Sequence, residues 1–124
     1  MKVLVVVEDD ADMQHLIQLT LSADGRLELS GCCTTADEAV EMAREVQPSL
    51  VILDHFIDGD VMGLDAAPAI KAAAPKSKVM LFTSHDLALE AERDPAVDRF
   101  LLKRDIAQLM PTVLDMLGLT SRAA

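Results

Sequence analysis

The chain has 124 residues, of which 51% are apolar, enough for a single domain with a buried core. Its 21 acidic and 11 basic residues leave a net charge of −10, which argues against direct binding of DNA or RNA, because phosphate contacts need clustered Lys and Arg. The longest apolar run, Val3–Val7, is too short to span a membrane, and the first residues lack a signal-peptide pattern, so we expect a cytoplasmic protein without membrane contact.

Five short apolar runs recur along the chain and predict β-strands. They are Val3–Val7, Leu27–Gly31, Leu50–Leu53, Val79–Phe82 and Phe100–Leu102. The first is β-branched and almost uniformly apolar, as in a strand that is covered on both faces. The second alternates and is less apolar, so we place it nearer an edge of the sheet.

Helical patterns fill the intervals between these runs. The predicted helices cover about Ala11–Ala23, a segment capped by Thr35 or Asp37 and ended by Gln47-Pro48, about Leu64–Ala74, Leu87–Arg93, and a last segment that ends near Leu117. Pro111 in the last segment either bends a helix or marks its true start. We expect residues 120–124 to be a frayed tail.

Strands and helices that alternate with short connections indicate a parallel sheet with helices on both faces. Right-handed crossovers leave few topologies for such a chain, and one order is the commonest at this size. The sequence therefore predicts an α/β fold: a doubly wound (βα)5, flavodoxin-like three-layer sandwich around a parallel five-stranded sheet in the order 2-1-3-4-5.

Polar side chains follow four of the predicted strands at the point where each strand ends. They are Glu8, Asp9 and Asp10 after the first, Asp54 after the third, Thr83 and Ser84 after the fourth, and Lys103 after the fifth. Each alone has an ordinary explanation, such as capping of a helix by Glu8 or Asp10. Together they are harder to attribute to chance, because the carboxyl ends of parallel strands meet at one edge of the sheet.

This set of residue types suits phosphoryl transfer. A carboxylate such as Asp54 can accept a phosphoryl group covalently. Crowded carboxylates repel one another, and Mg²⁺ held by Glu8, Asp9 and Asp54 would offset that repulsion. The Lys103 ammonium would add positive charge, and the Thr83 hydroxyl could donate a hydrogen bond to a phosphoryl oxygen.

The residues Glu8-Asp9-Asp10, Asp54, Thr83-Ser84 and Phe100-x-x-Lys103 together resemble the signature of the receiver domain of two-component response regulators. The resemblance covers residues 1–119, in order and at roughly the family spacing. It implies that a sensor histidine kinase or phosphotransfer protein donates a phosphoryl group to Asp54.

The same resemblance implies a role for each matching residue. Glu8 and Asp9 would hold Mg²⁺, Lys103 would pair with the phosphoryl group, and Thr83 and Phe100 would rearrange together as a switch. The domain would catalyse its own phosphorylation and dephosphorylation without being a turnover enzyme, and it could form a homodimer.

Several positions depart from the family pattern. Asp58 and Arg104 stand where the family usually has proline, so we expect a trans Lys103–Arg104 peptide bond and a turn at Asp58-Gly59. The interval from Thr83 to Lys103 is short, which predicts a reduced fourth helix.

Two further positions, by the same resemblance, tune the lifetime of the phosphorylated state. Phe56 would hinder the approach of water, whereas His85 would either orient water or simply face solvent, and we favour the second role for His85.

Two other functions fit the sequence less well. A receiver-like protein-binding module that acts without phosphorylation would have no need for the repulsive acid cluster. A nucleotide- or flavin-binding protein of the same topology would need a glycine-rich loop after the first strand, where this chain has acids instead.

Overall fold

A computed structural model describes residues 1–120 of the chain, and all five predicted strands and five predicted helices are present there. The strands are β1 Lys2–Val7, β2 Leu27–Cys33, β3 Leu50–Leu53, β4 Lys78–Thr83 and β5 Arg99–Leu102. The helices are α1 Ala11–Ser22, α2 Ala36–Val46, α3 Gly63–Ala73, α4 Ala88–Arg93 and α5 Leu109–Met116. The predicted frayed tail lies outside the described residues, apart from Thr120.

The five strands form one parallel sheet in the order β2-β1-β3-β4-β5, which confirms the predicted topology and places β2 at an edge. The pairing register of β1 and β3 determines where the residues after these two strands emerge. Val7 at the end of β1 lies opposite Leu53 at the end of β3, so the next residues along the chain, Glu8 and Asp54, emerge side by side.

Two apolar cores lie on opposite faces of the sheet, because successive strand side chains alternate between faces. Val5, Val51 and Leu81 face the core under α2 and α3. Their neighbours in sequence, such as Ile52 and Phe82, face the core under α1 and α5. This arrangement is the predicted three-layer sandwich.

The departures from the family pattern are local. Helix α4 has only six residues, as the short interval predicted. Within residues 1–120 no peptide bond is cis, so the Lys103–Arg104 bond is trans as expected. A 3₁₀ helix over Lys103–Gln108 precedes α5, and Pro111 lies in the first turn of α5, where its missing N–H is tolerated. Pro111 therefore marks the start of a helix and does not bend one.

No helix within the described part of the chain is both long and apolar enough to cross a lipid bilayer.

Gly63 allows α3 to begin directly against the backbone of Asp54. A β-carbon at position 63 would lie 1.8 Å from the Asp54 carbonyl oxygen, far inside van der Waals contact. The Gly63 amide also donates a hydrogen bond to the His55 carbonyl at 2.7 Å, which joins the two ends of the loop between β3 and α3.

We expect Gly63→Ala to lower the free energy of unfolding by about 2 kcal/mol, because backbone atoms must move to admit the methyl group. Urea unfolding followed by circular dichroism measures the change. Gly25→Ala is the matched control, since no atom lies within 4 Å of a β-carbon there. Equal effects of the two substitutions would contradict a tight contact at Gly63.

Candidate functional site

The carboxyl ends of β1, β3, β4 and β5 open into one cleft of about 290 Å³. Its lining residues are Glu8, Asp9, Asp10, Asp54, Phe56, Thr83, Ser84, His85 and Lys103. The structure thus brings every predicted site residue except Phe100 to the same place.

Three carboxylates crowd together in this cleft. Glu8 is 1% exposed and Asp54 is 5% exposed, whereas Asp9 is at the surface. One oxygen from each of Glu8, Asp9 and Asp54 lies within 4.8 Å of the other two. Oxygen ligands at this separation suit a hard divalent cation, and the small number of protein oxygens suits Mg²⁺ better than Ca²⁺.

Lys103 is the positive charge at the centre of this group. Its Nζ lies 2.5 Å from Glu8 Oε1 and 2.9 Å from Asp54 Oδ2. Burial lowers the pKa of Lys103, but the hydrogen bonds to Glu8 and Asp54 outweigh that effect and raise it overall. The ammonium therefore stays charged at neutral pH.

Glu8 has the most perturbed carboxyl group of the site. Burial raises the pKa of Glu8 to about 7, with the hydrogen bond from Lys103 opposing the shift and the Asp54 charge adding to it. The Lys103 ammonium thus offsets only part of the free-energy cost of keeping Glu8 ionised in the cleft.

The Asp54 carboxylate is held by its own backbone surroundings. The Asp54 amide donates to the Val7 carbonyl at 3.0 Å, which extends the pairing of β1 and β3 by one residue. The His55 amide donates to Asp54 Oδ1 at 2.8 Å, while Oδ2 faces Lys103. These contacts fix the orientation of the carboxylate in the cleft.

Thr83 contributes a hydroxyl that is completely buried. Among residues 1–120 its Oγ1 has no hydrogen-bond partner. A buried polar atom without a partner costs free energy, so native proteins rarely keep one without a reason. A ligand oxygen in the cleft would supply the partner.

Two further acids, one lining the cleft and one outside it, have structural roles instead. Asp10 caps α1, with its Oδ1 accepting a hydrogen bond from the Asp12 amide at 3.0 Å. Asp58 begins the turn that the sequence predicted, because Gly59 has a φ of +93° and the Asp58 amide donates to the Thr34 carbonyl. Asp58 does not belong to the carboxylate group formed by Glu8, Asp9 and Asp54.

Phe56 and His85 form an aromatic pair at the rim of the cleft. Their ring centroids are 4.5 Å apart, with the planes inclined at 56°. Both side chains are exposed, so His85 does face solvent, but it also contacts Phe56.

Phe100 lies on β5, two residues before the strand end, and not in the acid cleft. It is half-buried and packs against the core that contains α4 residue Ala91. Leu102, at the end of the same strand, pairs with Thr83. The strand therefore connects Phe100 to the residue beside Thr83.

Sequence reasoning missed two residues that shape the site. Gly63 packs against Asp54, and His55 Nδ1 accepts a hydrogen bond from the Leu64 amide at the start of α3. Gly63 stands immediately before the predicted start of this helix at Leu64, and a glycine in that place was the available signal for the close approach of α3.

The sequence model for the response regulator receiver domain matches residues 4–114, and the chain therefore belongs to this family. The family comprises the receiver domains of two-component response regulators, which are typically not turnover enzymes.

Among curated relatives, response regulator protein VraR of Staphylococcus aureus is 31% identical over 125 residues, which cover 98% of this chain and 58% of that protein. The chain thus spans 58% of the length of this relative.

Solved structures of receiver domains have the same fold. The response regulator domain of Thermotoga maritima CheB is 20% identical, with a TM-score of 0.84 over 98% of this chain and 99% of that one. The response regulator protein TrrA of Thermotoga maritima, in complex with Mg²⁺-BeF, is 25% identical, with a TM-score of 0.79 over 94% of this chain and 99% of that one.

Proposed function

We propose that Asp54 accepts a phosphoryl group from the phosphohistidine of a sensor histidine kinase or phosphotransfer protein. The observation that carries the proposal is the position of Lys103, which contacts both Asp54 and Glu8 inside the cleft. In the transfer, an Asp54 carboxylate oxygen forms a bond to phosphorus while the bond from phosphorus to the imidazole nitrogen breaks and the imidazole leaves. The domain so defined comprises residues 1–119.

Each neighbour of Asp54 has a part in this chemistry. The Lys103 ammonium neutralises charge on the phosphoryl oxygens, and the unpartnered Thr83 hydroxyl donates a hydrogen bond to one of them. The His55 amide keeps Asp54 oriented toward the cleft.

Glu8, Asp9 and Asp54 would hold Mg²⁺, which supplies the positive charge that phosphoryl transfer needs. When all are ionised, three carboxylates and one ammonium leave two excess negative charges, which one divalent cation balances. The bound Mg²⁺-BeF of the Thermotoga maritima relative TrrA supports this reading.

The phosphorylated state would be signalled through β4 and β5. A hydrogen bond from the buried Thr83 hydroxyl to the new phosphoryl group shifts the end of β4, and Leu102 on β5 is paired with Thr83. Phe100 on the same strand then changes its packing beside Ala91 of α4. The added charge of the phosphoryl group thereby shifts the equilibrium between two arrangements of β5 and α4.

A binding module that ignores phosphate is a weaker explanation of the same site. Such a module gains nothing from burying Glu8 and Asp54 side by side, because their repulsion costs stability.

Intact-mass spectrometry after incubation with acetyl phosphate and Mg²⁺ tests the acceptor. We expect a gain of about 80 Da, one phosphoryl group, that depends on Mg²⁺ and disappears in Asp54→Asn. Asp58→Asn is the matched control, since it changes a nearby acid outside the carboxylate cluster and should still be labelled. Label retained in Asp54→Asn, or label that survives alkali and hydroxylamine, which cleave acyl phosphates, would overturn the assignment.

We further propose that the pair of Phe56 and His85 sets the lifetime of the phosphorylated state by restricting the approach of water to Asp54. Phe56→Ala should shorten that lifetime by several-fold, measured as the decay of the phosphorylated mass after donor removal. Leu89→Ala is the control, because Leu89 is exposed on α4 and does not line the cleft. An unchanged decay in Phe56→Ala would remove this role.

A further inference from the structure

A second charged cleft lies at the amino ends of the strands, opposite the carboxyl ends where the carboxylate cluster lies. It has a volume of about 290 Å³ and is formed by the start of β1, the loops that enter β3 and β4, and the end of α5. Lys2, Lys76 and Lys78 line it, and all three are exposed. We call it the lysine cleft.

These lysines belong to the basic residues that form no ion pair. Within the described residues, five cations form ion pairs with acids, namely Arg26, Arg44, Lys71, Arg99 and Lys103. Within residues 1–120 the cations without an ion pair are Lys2, Lys76, Lys78, Arg93 and Arg104. Three of these five meet in one cleft, in a chain whose net charge is −10.

The strand register explains why the lysines converge. Lys78 pairs with Leu50 at the start of β3, and Leu50 pairs with Leu4, two residues after Lys2. Because β1 and β4 lie on either side of β3, two strand spacings, about 10 Å, separate the backbones of Leu4 and Lys78. Lys2 lies two residues before Leu4 on β1, so its backbone is about 12 Å from that of Lys78. Lys76 precedes Lys78 in the turn that leads into β4.

The rest of the lining is uncharged. No acidic side chain among the described residues lines the cleft, and Pro48, Met116 and Leu117 supply an apolar wall beside the ammonium groups. The carbonyl ends of α2 and α3 point to this edge and offset part of the repulsion among the lysines. Because no Asp or Glu of the described residues lines the cleft, the remaining repulsion among the lysines has no side-chain counter-charge there.

We propose that the lysine cleft docks a short acidic segment of a partner protein, with carboxylates on the lysines and an apolar side chain against Met116 and Leu117. Ligand pockets for cofactors start at about 300 Å³, so the cleft has room for one or two side chains of a docked segment and little more. A nucleic acid fits less well, because the net charge of −10 repels an extended polyanion.

This surface would work independently of phosphoryl transfer. Lys2 is the first residue of β1 and Glu8 follows its last residue, so the two are six residues apart along an extended strand, about 20 Å. A segment in the lysine cleft therefore leaves the carboxylate cluster open to a phosphodonor.

Fluorescence anisotropy with a short fluorescein-labelled peptide of glutamate and leucine tests the proposal on the full chain. We expect binding that weakens with added salt and that falls about tenfold in Lys76→Gln with Lys78→Gln, the loss expected for two charge contacts. Arg93→Gln with Arg104→Gln removes the same charge from unpaired cations elsewhere and should leave the affinity nearly unchanged.

Each alternative has its own outcome. A glutamine–leucine peptide that binds as well as the glutamate peptide would show that charge is not the basis of docking. Equal losses in the two double variants would show only a general effect of net charge. Tighter binding of a single-stranded oligonucleotide of the same length would assign the cleft to nucleic acid, and absence of peptide binding would overturn the proposal outright.

Discussion

The crowding of carboxylates at one edge of the sheet is the constraint on which the site depends. Glu8 and Asp54 are almost fully buried beside each other, and Asp9 lies within reach of both. The ammonium of Lys103 opposes their repulsion, and burial still raises the pKa of Glu8 to about 7. Under the proposed function, a cation and a phosphoryl group would each compensate for the charge of the other in this site.

The fold creates this crowding through topology. The order β2-β1-β3-β4-β5 makes β1 and β3 neighbours, and their register places Glu8 next to Asp54. Lys103 follows β5, two strands away from β3, and its long side chain spans the end of β4 to reach both acids. Thr83 ends the strand in between, so the same arrangement leaves its hydroxyl buried without a partner among residues 1–120. Segments far apart in sequence thus form the carboxylate cleft, while the other ends of β1 and β4 form part of the lysine cleft.

The strands and the position of the acids after them could be predicted from the sequence. Strand ends are marked by local apolar runs, and an alternating chain of this size has few possible parallel topologies. The apolar runs predicted each strand to within about two residues, and the acids after them were placed at the correct edge. Other features depend on tertiary packing, which the local sequence does not determine. Three features belong to this group: the cap of α2 by Thr35 and not Asp37, the contact of Gly63 with Asp54, and the pairing of Phe56 with His85. The lysine cleft is of the same kind, since Lys2 and Lys78 are distant in sequence.

Calorimetric titration with Mg²⁺ is the most direct test of the carboxylate cluster, because it measures whether the cluster holds a cation before any phosphoryl transfer. We expect one Mg²⁺ per chain in the wild-type protein. In Glu8→Gln with Asp9→Asn the affinity should be at least about tenfold weaker, because losing residues that contact the ion costs no less than losing residues that only hold its ligands in place. Asp58→Asn with Asp60→Asn removes the same charge from the exposed turn and should bind Mg²⁺ as the wild type does. Unchanged affinity in the Glu8 and Asp9 variant would contradict a metal site formed by these carboxylates.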